Sequence, residues 1–147
     1  MKILDYIVCD DIRFELRSKF TLVGLYQDSI NIEAEHPDDI KWPIGLRFGI
    51  LLRILTGTDL PTEKESHFRF ELKYNNEQVG ISEGIITIND KNSVAISLPM
   101  GPFPVNIYQP GTFTFYLRFT QDGKEIVHLE SPFPFPVRFR QIHKSIG

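Results

Sequence analysis

The sequence predicts an all-β fold, a two-sheet antiparallel sandwich of eight or nine strands with at most one or two short helical turns. Three observations carry that expectation. Apolar and polar residues alternate with period two in "HFRFELKY" and "TFTFYLRF", as a strand with one buried and one wet face requires. Twelve Phe against two Met, with ten Gly and ten Pro, favour short strands and turns over long helices. Turn signals recur about every ten residues, with no sustained helical period and no alternation of strand and helix patterns.

Taken in order, the first strand is expected in "KILDYIVC", ending at Val8 and Cys9. Asp10 and Asp11 then turn the chain and pair with backbone donors or with Arg13, so that Cys9, Asp10, Asp11 and Arg13 form a structural turn in which the thiol fills space. In "DDIRFELRSKF" an aspartate cap, Glu15 in the first turn and the four-residue spacing of Ile12 and Leu16 predict one or two turns of helix. "KFTLVGLY" and "SINI" follow as short strands, and "HPDD" breaks the chain before "IGLRFGILLRIL". There Leu46, Phe48, Ile50, Leu52 and Ile54 share a face, and Leu51 and Leu55 make the other face apolar as well, so this strand is expected at the centre of its sheet.

"HFRFELKY" sets Phe68, Phe70, Leu72 and Tyr74 against Arg69, Glu71 and Lys73. "VGISEGIITI" and "SVAISL" are further strands, with "NNE" and "NDKN" as the breaks before them. "LPMGPFPVNIYQPG", Leu98 to Gly111, reads as a stiff proline loop that either caps the sandwich or offers Met100, Phe103 and Tyr108 to a partner. "TFTFYLRF" points Phe113, Phe115, Leu117 and Phe119 inward, and the Asp-Gly of "TQDGK" turns it into "EIVHLE". In the tail, residues 132–147, each proline lacks a ladder donor, so "PFPFPV" is expected as an edge strand or extended segment, with Phe133 and Phe135 as further candidate contacts.

From Cys9 to Tyr26 the sequence resembles a family of small, uncharacterised bacterial proteins. Their N-termini read Cys-Asp-Asp-(apolar)-Arg, a short gap, then Lys-(apolar)-Ser/Thr-Leu-(apolar)-Gly-(apolar)-Tyr; the matching positions are Cys9 to Arg13 and Lys19 to Tyr26. "LRFGILLRI" and the closing "PGTFTFYLRFTQDGKEI" are compatible with the same family. The resemblance implies an all-β sandwich and no established activity or ligand. The closing hairpin is also similar to the last strands of immunoglobulin-like domains, and the aspartate-bearing loops are similar to those of C2-type sandwiches, so the architecture is expected to be immunoglobulin-like or C2-like.

The whole chain of 147 residues has the size of one domain, 1–147, with one core. A net charge of −3 supplies no basic field for nucleic acid, and no window approaches the roughly 18 apolar residues of a spanning helix. Neither nucleic acid nor a membrane is expected as a partner. The single Cys fits a reducing, cytoplasmic setting.

Candidate chemistry is thin. Cys9 as a nucleophile would need a base, yet His36, His67, His128 and His143 have no recognisable partner spacing, and the neighbouring Asp10 and Asp11 would raise a thiol pKa. Asp10, Asp11, Asp28, Asp38, Asp39, Asp59, Asp90 and Asp122 fall mostly in expected turns and do not spell a calcium loop. One Cys and four scattered His offer no zinc pair. The chain is therefore read as a non-enzymatic module with no cofactor and no metal, acting on a protein partner or on its own copy. The alternative is a module that binds Ca²⁺ or carbohydrate through loops at one end of the sandwich, and an enzyme ranks third.

Overall fold

The computed structural model describes residues 1–17, 19–89 and 94–143; the turn expected at "NDKN", with Asp90, lies outside them, as does the end of the tail. The described chain is all-β. Ten strands follow one another as β1 (Lys2–Glu15), β2 (Lys19–Tyr26), β3 (Ile30–Ala34), β4 (Ile44–Leu55), β5 (Glu65–Tyr74), β6 (Glu77–Thr87), β7 (Ala95–Ile107), β8 (Gly111–Gln121), β9 (Lys124–Glu130) and β10 (Phe135–Gln141). A 3-10 turn at Pro37–Asp39 is the one helical element among the described residues. One sheet has the order β2-β1-β4-β7 and the other β3-β10-β8-β5-β6, with β9 also paired to β8. β4 is central, as its two apolar faces predict.

The alternating strands bury the expected rows. Phe48, Ile50, Leu52 and Ile54 of β4 face Phe70, Leu72 and Tyr74 of β5 and Phe113, Phe115, Leu117 and Phe119 of β8 in one continuous core. Aromatic rings join the layers: Phe48 stacks on Phe113 with centroids 4.1 Å apart, and Phe70 lies 5.7 Å from Phe103 of β7. Two tight hairpins use residues in the left-handed region. Asn75 and Asn76 link β5 to β6 at φ 48° and 67°, and Asp122 and Gly123 link β8 to β9 at φ 50° and 77°, which suits the right-handed twist of the flanking strands.

Four expectations are corrected. The helical turns of "DDIRFELRSKF" do not form. β1 runs on to Glu15 because Asp11–Glu15 pair antiparallel with Lys19–Val23, a ladder that satisfies the backbone where a weak cap would not. For the same reason Cys9, Asp10, Asp11 and Arg13 stand inside a strand and make no turn. Leu98 to Ile107 is no loop: β7 spans it, since an edge strand tolerates Pro99, Pro102 and Pro104, whose missing donors can face outward. Met100, Phe103, Val105 and Ile107 thereby become core.

The fourth correction is the tail, which supplies the tenth strand. β10 is no edge: Phe135–Val137 pair antiparallel with Gly111–Phe113 of β8, and Val137–Gln141 pair parallel with Ile30–Ala34 of β3, whereas the other strand pairs of the described residues are antiparallel apart from an isolated Thr62–Ile88 bridge. β9 and β10 lie along the same side of β8, one after the other, because β9 pairs with Tyr116–Gln121. Ser131–Pro134 interrupts that run, and Phe133 swings to the other sheet. Its ring stacks on Tyr6 of β1 at 4.5 Å and its carbonyl accepts the Tyr6 hydroxyl at 2.9 Å. Pro136 costs no hydrogen bond to β3, whose pairing starts one residue later.

The inward row of β8 makes a direct test. Phe115→Ala should cost about 3–5 kcal/mol in chemical denaturation, and Thr114→Ala, on the opposite face, far less. Equal small losses at both positions would contradict the register described.

Candidate interaction surface

Cys9 sits within β1 opposite Gly49 of β4, with no exposed surface, and its Sγ donates to the Gly49 carbonyl at 3.7 Å. Glycine at 49 makes room for the sulfur, since a Cβ there would lie 3.2 Å from it. Burial first, then the charges of Asp10 and Asp11, push the thiol above its ordinary value. A protonated, enclosed thiol is no nucleophile. Asp10 accepts the Tyr26 hydroxyl at 2.6 Å, and burial followed by that carboxylate pushes the phenol up to about 12. Asp11 accepts the N–H of Ile12 at 3.0 Å and lies 3.6 Å from Arg47 and 3.9 Å from Arg13, so the pairing with a backbone donor and with Arg13 is present, although on a strand.

Beyond Cys9, β1 leaves β4. The last β1–β4 pair is Cys9 with Gly49, whereas β1 and β2 remain paired to Glu15 and Lys19, so residues 10–15 and 19–24 form a two-stranded arm. Gly24, at φ +68°, closes its base, and Asp10 Oδ2 occupies the place of a Cβ. Such a position accepts glycine and strains other residues. The arm carries apolar side chains with little to cover them: Phe14 is 72% exposed, Leu16 88% and Leu25, just below the arm, 59%. Phe14 touches Phe20 edge-on at 5.4 Å. Next to the arm, Ile7, Leu51 and Pro99 form a cross-strand row on the outer face of the same sheet.

The outer face of the second sheet is the opposite in character. Arg69 binds Glu71 and Glu83, Arg118 lies 3.6 Å from Glu125, His128 stands 3.4 Å from Glu125 and 3.7 Å from Glu130, and Lys73 sits 4.6 Å over the Tyr116 ring. Arg69 holds the Glu71 carboxyl below its usual range. The charges on that face answer one another. A groove of about 430 Å³ between His67, Arg69, Glu83, Ile85 and Thr120 lies along it. A second, of about 280 Å³, opens at one end of the sandwich, lined by Tyr108, Asn106, Gln109 and Glu77.

Of the five residues expected as contacts, Met100, Phe103 and Phe135 are buried in the core, because all three fall on inward positions of β7 and β10. Tyr108 and Phe133 are exposed, with Phe133 holding Tyr6. Sequence reasoning missed Phe14, Leu16 and Leu25; the signal was the near-symmetric placement of Phe14 and Phe20 about a polar turn, which marks a hairpin cross-strand pair. Among the described residues no three His, Cys, Asp or Glu side chains are grouped to hold a metal ion, and no helix is long and apolar enough to cross a membrane. No protein-family model, no curated protein and no solved structure matches this chain.

The thiol gives a pH test. Because its folded value is raised, its contribution to stability is present below the ordinary thiol value of about 8.5 and is lost as pH rises above it. Denaturation midpoints should start to fall near that pH in the wild type, and in Cys9→Ala only when tyrosines ionise at higher pH. Native Cys9 should also react with iodoacetamide more slowly than free cysteine; faster reaction would mark a functional thiol.

Proposed function

We propose that this chain is a non-enzymatic, immunoglobulin-like interaction module of the cytoplasm that docks a protein through the β1–β2 arm and the apolar strip beside it. One observation carries the reading: Phe14 and Leu16 stand exposed toward the tip of the arm and Leu25 at its base, while the outer face of the other sheet is a paired charge network. Clustered apolar exposure of this kind marks contact surfaces in soluble proteins. The shielded thiol, held protonated by burial and by the charges of Asp10 and Asp11, supports a non-catalytic reading of the "VCDD" segment.

A photo-crosslinking residue at Leu16 should give protein adducts in cells, and the same residue at Tyr116, on the charged face, should not. Equal yields at the two positions, or none at either, would remove the arm as a docking surface.

A second reading, carbohydrate binding at one end of the sandwich, is favoured by the groove that Tyr108 shares with Asn106, Gln109 and Glu77, an exposed ring beside amide and carboxylate groups. Affinity electrophoresis through polysaccharide gels tests it. Retardation that Tyr108→Ala abolishes would support it, and identical mobility of wild type and variant in every gel would end it.

A further inference from the structure

Besides β1, whose residues 10–15 have β2 alone and include the charged Asp10, Asp11, Arg13 and Glu15, five strands have a free side among the described residues, and four of these are guarded. β7 carries Pro99, Pro102 and Pro104; β3 has only five residues, with Glu33 among them; β6 has Glu83 at mid-strand; β9 alternates Lys124, Glu125, His128 and Glu130. Prolines, charges and shortness are the usual means by which edges avoid further pairing. β2, "KFTLVGLY", has none of them past its first residue. Its free backbone donors and acceptors, solvated in the single chain, lie in a segment of high strand propensity and have the spacing with which another extended chain can pair.

We propose that the partner of this edge is a second copy of the same chain, paired antiparallel β2 to β2 about a two-fold axis through Thr21. This rests on the docking reading above and names its partner. The register follows from the backbone. Gly24 leaves the extended region at φ +68°, so the regular segment of the arm is Lys19–Val23, and its middle residue is Thr21. A two-fold there sets Thr21 against its own copy, Phe20 against Leu22 and Lys19 against Val23. No like charges oppose one another. Within each arm Phe14 pairs with Phe20 and Ile12 with Leu22, so the joined arms carry two rows, each of Phe14 and Phe20 from one copy followed by Leu22 and Ile12 from the other. Phe20, on which Phe14 rests, thereby gains Leu22 of the other copy as the apolar cross-strand neighbour that its own chain does not supply on that side. A foreign peptide would satisfy the backbone but has no need to complete those rows, and an isologous pair closes on itself and leaves β2 no free side.

Sedimentation equilibrium of the full chain tests this. Wild type should weigh about twice 17.0 kDa, Thr21→Lys and Thr21→Glu should each weigh 17.0 kDa, and their equimolar mixture should return to the doubled mass, because like charges on the axis repel and opposite ones attract. Circular dichroism of each variant, matching the wild type, shows that the fold is intact. A wild type that stays at 17.0 kDa at its highest soluble concentration would overturn the proposal, as would folded single variants that still dimerise or a mixture that does not. If wild type is monomeric while Leu16 still crosslinks to another protein, the docking surface stands and only the choice of partner fails; a monomer without adducts ends both.

Discussion

The contact between the inward rows of β4 and β8 is the constraint on which the sandwich depends. Phe48 stacks on Phe113, Phe135 closes on Phe48 at 6.0 Å, and the two central strands are thereby held face to face. Each additional strand is placed by hydrogen bonding to one of this pair or to a neighbour of it. Aromatic side chains bury large areas with few rotatable bonds, and the abundance of Phe over Met makes this a core of fixed shapes.

The Tyr6–Phe133 contact is a second tie between the layers. Ser131–Pro134 interrupts the strand formed by β9 and β10, and the prolines on either side of Phe133 hold that break open, so one aromatic ring can leave its own sheet and stack on the other. Burial raises the Tyr6 phenol well above its ordinary value, and its hydroxyl finds the Phe133 carbonyl. A buried tyrosine with that partner stays protonated and carries no unsatisfied polar group.

Fold and candidate surface meet in β1. The strand is longer than the sheet it belongs to: β4 accompanies it only to Cys9, and the remaining residues have β2 alone. A two-stranded ribbon has little to bury its apolar face against, so the same alternation that builds the core elsewhere leaves Phe14 in solvent here. The "VCDD" segment marks where the strand parts from the body. Cys9 fills the gap above Gly49, Asp10 ties β1 to Tyr26, and Asp11 reaches Arg47.

Which side chains share a face was legible in the order of residues along the chain. Period two in β4, β5 and β8 settled the inward rows, and the Asp-Gly turn settled the closing hairpin, because side-chain direction along a strand and the backbone of a short turn are local properties. That order could not determine how many neighbours a strand has. Met100 and Phe103 looked like loop residues and Phe135 like an exposed edge because proline removes a donor, and whether that loss matters depends on what lies beside it. Likewise Phe14 and Ile12 belong to one alternating pattern, yet Ile12 is buried and Phe14 is not. Those cases were resolved by the packing of distant segments, since hydrogen bonds between strands join residues far apart in the chain and burial is conferred by the neighbour.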